Sequence, residues 1–159
     1  MLLAVLTVSD RCSQGLGTDT AGPAVAALLR QQWPDAEIQV ALVPDEIDQI
    51  EDRLRRWSGD GAALILTAGG TGLGPRDLTP EATRLVIERD APGLAEAMRA
   101  KGAERNQFAW LSRGVAGLKG NTLIVNLPGS KRGAEESLVS ILPLLRHGLD
   151  TVAGVQRHP

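Results

Sequence analysis

Apolar runs and polar breaks alternate along this chain with the spacing of strands followed by helices. Residues 2–8 (LLAVLTV) are apolar almost without interruption, residues 37–43 (EIQVALV) carry β-branched positions, and residues 62–67 form a third apolar run. Each is too short for a globular helix and reads as a strand. Between them the period changes. Val25, Leu28 and Leu29 share one face of a helix entered through Gly22-Pro23 and running to about Trp33. Ile47, Ile50 and Leu54 make the inner stripe of a second helix that runs to about Trp57, with Asp45 able to cap it. Thr79-Pro80-Glu81 opens a third, with Thr79 at the cap and Pro80 at the first helical position, and Pro92-Gly93 opens a fourth over 94–101. Residues 102–112 give no clear pattern. Residues 113–118 and 122–127 read as a hairpin around Lys119-Gly120-Asn121. A last helix runs from about Ala134 to Leu145, where Pro143 bends or ends it. Alternating strands and helices predict an α/β three-layer, Rossmann-like domain over 1–159, with a mostly parallel sheet and one antiparallel strand.

The polar breaks hold the candidate chemistry. In a parallel sheet the loops after the strands converge on the carboxyl edge, where ligands bind. Those loops carry Ser9-Asp10, Asp45, and the glycine-rich stretch Gly69-Gly70-Thr71-Gly72-Leu73-Gly74-Pro75-Arg76-Asp77. Strand, glycine loop and helix N-terminus form a layout that binds anions, because glycines let backbone N–H groups approach phosphate oxygens. Pro75 stands where a Walker A loop needs lysine and where the dinucleotide fingerprint needs its third glycine, so neither motif applies. Arg76 can clamp a phosphate, and Asp77 beside phosphates points to Mg²⁺. The bland reading is a βα turn with a surface ion pair. Pro128-Gly129-Ser130 precedes Lys131-Arg132 and is equally readable as a capped junction or as a second anion site.

Charge and composition narrow the class. A formal charge of −2 leaves no footprint for nucleic acid, and no stretch is long and apolar enough to span a membrane. Cys12 is the only cysteine, which excludes an internal disulfide and fits a reducing, cytoplasmic setting. The two histidines, His147 and His158, lie far along the chain from every motif, and there is no tyrosine, so the usual general bases are missing from the glycine-loop region.

Four ordered stretches resemble the molybdenum cofactor biosynthesis family of the Mog and MoaB type: SDR with G…D…G-P over 9–23, PDE at 44–46, TAGGTG with RDLTPEAT over 67–83, and AGLKGNTLIVNLPGS at 116–130. Departures are Ala68 where many members have threonine, Thr20-Ala21 before Gly22, and Lys131-Arg132-Gly133 after the last motif. The resemblance implies molybdopterin adenylylation, in which Mg²⁺-ATP and molybdopterin give adenylylated molybdopterin and pyrophosphate. It implies Asp45 and Asp77 as catalytic carboxylates that also hold Mg²⁺. Gly69, Gly70, Thr71 and Gly72 match the nucleotide loop, and Ser112 and Ser130 match the pterin and phosphate side. Ser9, Asp10, Arg76, Pro128, Gly129 and Lys131 complete the expected binding set. The resemblance further implies a trimer, in some members a hexamer, and a molybdate-inserting partner enzyme. A domain of this kind that binds the pterin without turnover, as carrier or scaffold, is the alternative.

Overall fold

The structure, a computed structural model, describes residues 1–155; His158 lies outside them. Six strands form one sheet: β1 (Leu2–Val8), β2 (Glu37–Val43), β3 (Leu64–Ala68), β4 (Arg89–Asp90), β5 (Ala116–Lys119) and β6 (Thr122–Leu127), in the order β2-β1-β3-β6-β5-β4. The pairs β1–β2, β1–β3 and β3–β6 are parallel, while β5 runs antiparallel to both of its neighbours. This is the α/β architecture expected from the sequence, with β5 as its antiparallel strand.

Period-two alternation in the strands separates two cores. Leu3, Val5, Leu64, Leu66, Leu123, Val125 and Leu127 face one layer, made by α2 (Ala21–Gln32), α5 (Pro92–Ala103) and α6 (Lys131–Val152). Ala4, Leu6, Val8, Ile65 and Ile124 face the other, made by α3 (Ile47–Gly59) and α4 (Thr79–Val86). Central strands buried on both faces explain why their sequences are apolar throughout. The four parallel strands β1, β2, β3 and β6 end at Val8, Val43, Ala68 and Leu127, so the loops beginning at Ser9, Pro44, Gly69 and Pro128 open on one edge.

The elements differ from the sequence pattern at informative places. The loop after β1 contains a one-turn helix, α1 (Asp10–Ser13), with Ser9 accepting from the Cys12 N–H at 3.1 Å. Asp45 does not cap α3; Glu46 holds the cap position, and the Asp45 carboxylate instead accepts from the Asp10 N–H at 2.9 Å. Thr79 lies inside α4 behind Leu78, and its hydroxyl donates to Gly69 O at 2.8 Å. Both side chains have tertiary partners that win over local capping. The pattern-free stretch is the end of α5 followed by a 3-10 turn, Gln107–Leu111, capped by Asn106. The helix α6 begins at Lys131 and continues past Pro143 to Val152. Proline removes only one internal hydrogen bond, and the buried stripe Leu138, Ile141, Leu145 and Leu149 carries the helix through it.

Candidate functional site

The carboxyl-edge loops are tied to one another before any ligand is considered. Asp10 and Asp45 exchange reciprocal bonds: Asp10 N–H donates to Asp45 Oδ2 at 2.9 Å, and Asp45 N–H donates to Asp10 Oδ1 at 3.0 Å. Arg76, arriving from the glycine loop, donates through Nε to Asp10 Oδ2 at 2.9 Å and through Nη2 to Asp10 Oδ1 at 3.1 Å and Glu46 Oε1 at 2.9 Å. One guanidinium thus joins the loops that follow β1, β2 and β3. The Arg76 bonds hold the Asp10 carboxyl below the ordinary carboxylate range, with the Asp45 N–H helping. Asp45 is pushed the other way. Burial raises its pKa, the nearby Asp10 and Asp77 charges raise it further, and the Asp10 N–H and Arg76 oppose the shift.

The glycine loop is shaped by the same edge. Gly69 and Gly70 have φ of +109° and +67°, in the region that favours glycine. A Cβ at Gly69 would stand 2.2 Å from Val8 O, so β1 itself forbids a side chain there. A Cβ at Gly70 would stand 3.0 Å from Asp45 Oδ1, which puts that oxygen against the loop. Asp77 closes the turn: its N–H donates to Gly74 O at 3.0 Å, and its Oδ2 accepts from Gly74 N–H at 2.9 Å. Thr71 is buried, and Thr79 N–H returns to Gly70 O at 3.1 Å.

The second glycine junction touches the first. A Cβ on Gly129 would lie 3.1 Å from the Gly69 Cα. Ser130 caps α6 by accepting from Gly133 N–H at 3.0 Å. Beside this junction a cavity of about 340 Å³ opens between α5, the 3-10 turn and α6. Ser112, Gly114 and Pro128 are in its wall, together with Arg99, Lys101 and Arg105. Lys131 is not in that wall; it lines a separate, more open groove with Asp19 and Glu135. The structure therefore gathers Ser9, Asp10, Asp45, Gly69, Gly70, Thr71, Gly72, Arg76 and Asp77 at one place and Ser112 and Pro128 at the adjoining cavity. Gly129 stands at the seam.

Sequence reasoning missed Arg113 and Glu81. Arg113 makes bonds to the glycine loop from a position 36 to 41 residues further along, and its guanidinium pairs with Glu81 through both nitrogens. The Glu81 carboxyl is held below its ordinary range by that guanidinium. No local motif marks such a pair; in sequence Arg113 is only the first residue of the hairpin strand expected over 113–118, and β5 begins at Ala116.

The family described as a probable molybdopterin binding domain matches residues 4–147. The chain belongs to this family. It is 36% identical over 154 residues to the molybdopterin adenylyltransferase of Helicobacter pylori strain J99, a comparison covering 96% of this chain and 88% of that protein. It is 42% identical over 149 residues to the molybdenum cofactor synthesis protein cinnamon of Drosophila melanogaster; that match covers 93% of this chain but only 25% of the larger protein. The chain thus spans about a quarter of that relative's length. Among solved structures, the molybdopterin biosynthesis enzyme MoaB from Thermus thermophilus is 50% identical, with a TM-score of 0.90 and 96% of each chain covered. Among the described residues of this molybdopterin-binding-domain family member, no helix is long and apolar enough to cross a membrane.

Proposed function

We propose that this chain is a molybdopterin adenylyltransferase that transfers AMP from Mg²⁺-ATP to molybdopterin. The observation that carries the reading is a shared wall. Ser112 and Gly114 face the 340 Å³ cavity, and Arg113 between them bonds the glycine loop. A pterin in the cavity and a nucleotide on the loop would meet at the seam formed by Gly69 and Gly129. The cavity lining is of mixed charge: Arg99, Lys101 and Arg105 share it with Glu135 and Glu136, Arg105 is paired with Glu136, and Lys101 is paired with Glu104.

The residues fit Mg²⁺. Of the two carboxylates, Asp77 lies close enough for its charge to act on Asp45. Asp45 keeps Oδ1, and Asp77 keeps Oδ1, beyond the oxygens engaged by the Asp10 and Gly74 amides. Among the described residues no group of three or more His, Cys, Asp or Glu is placed to hold a metal; one or two carboxylates plus phosphate oxygens is the usual provision for Mg²⁺. When bound, Mg²⁺ supplies charge neutralisation on the phosphates. The chain's own part is to align the reactants and offer N–H groups. The molybdopterin phosphate, ionised at neutral pH, attacks the α-phosphorus of ATP. A P–O bond forms, the bond to the β-phosphate oxygen breaks, and pyrophosphate leaves with the electron pair. No proton has to be removed, which suits a site without histidine or tyrosine.

Release of pyrophosphate and appearance of adenylylated molybdopterin on mixing the protein with Mg²⁺-ATP and molybdopterin is the expected result. Tight pterin binding without pyrophosphate would instead make the chain a carrier.

A further inference from the structure

We propose that Arg113 is the positioning residue of the glycine loop: it fixes the loop's peptide planes so that their N–H groups face the nucleotide, without itself touching the ligand. Its backbone N–H donates to Thr71 O at 2.8 Å, its Nε to Gly72 O at 2.8 Å, and its Nη2 to Asp77 O at 2.6 Å. Three carbonyls at both ends of one loop are thus held by a single residue. Glu81, in the first turn of α4, accepts from Nη1 and from Nη2 of the same guanidinium, beside the bonds to the loop carbonyls. In a trans peptide the C=O and the following N–H point opposite ways. Drawing Thr71 O and Gly72 O toward Arg113 therefore turns Gly72 N–H and Leu73 N–H away from it. Among the described residues neither of these N–H groups has a hydrogen-bond partner.

Arg113 is itself held. Arg99 of α5 donates through Nη1 to Ser112 O at 3.2 Å and Gly114 O at 3.0 Å, the carbonyls on either side of it. The anchor therefore rests on the cavity wall, and the loop rests on the anchor. Donors aimed in advance cost no reorganisation when a phosphate arrives, which is the source of their strength in phosphoryl transfer. Lysine cannot replace the anchor: a planar guanidinium reaches two carbonyls and a carboxylate in fixed directions, whereas an ammonium group is a compact point charge on a flexible stem.

The nucleotide half of this inference rests on the function proposed above; the loop half does not. Amide hydrogen exchange on the ligand-free protein tests the loop half. In Arg113→Lys the amides of Asp77 and Thr79, bonded to Gly74 O and Gly70 O, are expected to exchange about tenfold faster, with those of β3 and β6 within about twofold of the parent. In Glu81→Gln, which keeps the carbonyl bonds, the loop amides should stay within about twofold. Steady-state kinetics tests the other half: Arg113→Lys should raise KM for ATP about tenfold and leave KM for molybdopterin within about twofold. Unchanged loop exchange, equal loosening throughout the sheet, failure of Arg113→Lys to fold, or equal loosening by Glu81→Gln would each overturn the positioning role. Equal rises in both KM values would overturn the nucleotide half. A parent protein that neither binds nor turns over ATP, with the exchange result intact, would refute the proposed function and leave the loop role standing.

Discussion

At the scale of single residues, the two candidate catalytic carboxylates differ in their surroundings. Asp77 spends one oxygen on the Gly74 N–H. Asp77→Asn keeps an acceptor for that bond and removes only the charge, so the fold should persist while adenylylation falls by about 10²–10³-fold, the usual loss of one preorganised electrostatic group. Rapid-quench or steady-state turnover at saturating Mg²⁺-ATP, with circular dichroism as the fold control, checks it. Asp45 is disfavoured as an anion by burial. Asp45→Asn still accepts from the Asp10 N–H, so it should melt no lower than the parent at pH 7 while turnover drops; calorimetry and the same assay read both. The opposite shift occurs at Glu81, held below its ordinary value of 4.5 by Arg113. A depressed carboxylate contributes stability that is present above its unfolded value and lost as pH falls through the folded one. The pair is half-exposed, so it contributes about 0.2–1 kcal/mol. Glu81→Gln should therefore be slightly less stable than the parent at pH 7, with the gap closing below about pH 4. Urea unfolding across that range measures it.

At the scale of elements, the glycine loop depends on what neighbouring strands leave room for. Gly69 combines a positive φ with a backbone oxygen of β1 where a Cβ would go. That oxygen belongs to a central strand and cannot yield as a side chain would. Gly69→Ala should cost at least the roughly 1–3 kcal/mol of a strained backbone position, which lowers Tm by about 2–4 °C for each kcal/mol in a chain of this size. Differential scanning calorimetry gives the answer, and a Tm within a degree of the parent would mean that β1 can shift. The Ser130 junction behaves differently. Its hydroxyl caps α6, so Ser130→Ala loses about 1 kcal/mol through the helix end whatever its role toward a ligand.

At the scale of the whole molecule, β2 is an edge strand of the sheet among the described residues. Val40 and Leu42 on that strand are 59% and 40% exposed, and Phe108 and Trp110 on the 3-10 turn are 65% and 58% exposed. Open strand edges and aromatic patches are surfaces that assembly covers. A cyclic trimer, which the family resemblance implies, is the expected state. Light scattering at micromolar concentration should give about three times the 16.8 kDa chain mass; a monomeric mass would exclude it.

The hydrophobic pattern determined most of the architecture. Runs such as LLAVLTV can be satisfied only between two apolar layers, and the stripes Val25-Leu29 and Ile50-Leu54 can be satisfied only against a sheet. Glycine at 69, 70 and 72 beside Arg76 and Asp77 marked a candidate anion loop, and the structure places that loop at the carboxyl edge of the sheet. The long-range partners of the polar side chains were decided by tertiary structure, whereas local caps such as Ser130 on the Gly133 N–H were legible in sequence. Asp45 and Thr79 carry a local capping signal, yet Asp45 accepts from the Asp10 N–H of another loop, Thr79 donates to Gly69 O at the far end of its own loop, and neither caps a helix. Pro143 carries a local stop signal that the buried face of α6 outweighs. Arg113 carries no signal, because its acceptors lie more than 30 residues away and become neighbours only when β6 docks beside β3. Period and composition act within a few residues of themselves and are legible in sequence. Long-range hydrogen-bond partners are chosen by proximity in the folded chain, which no local pattern encodes.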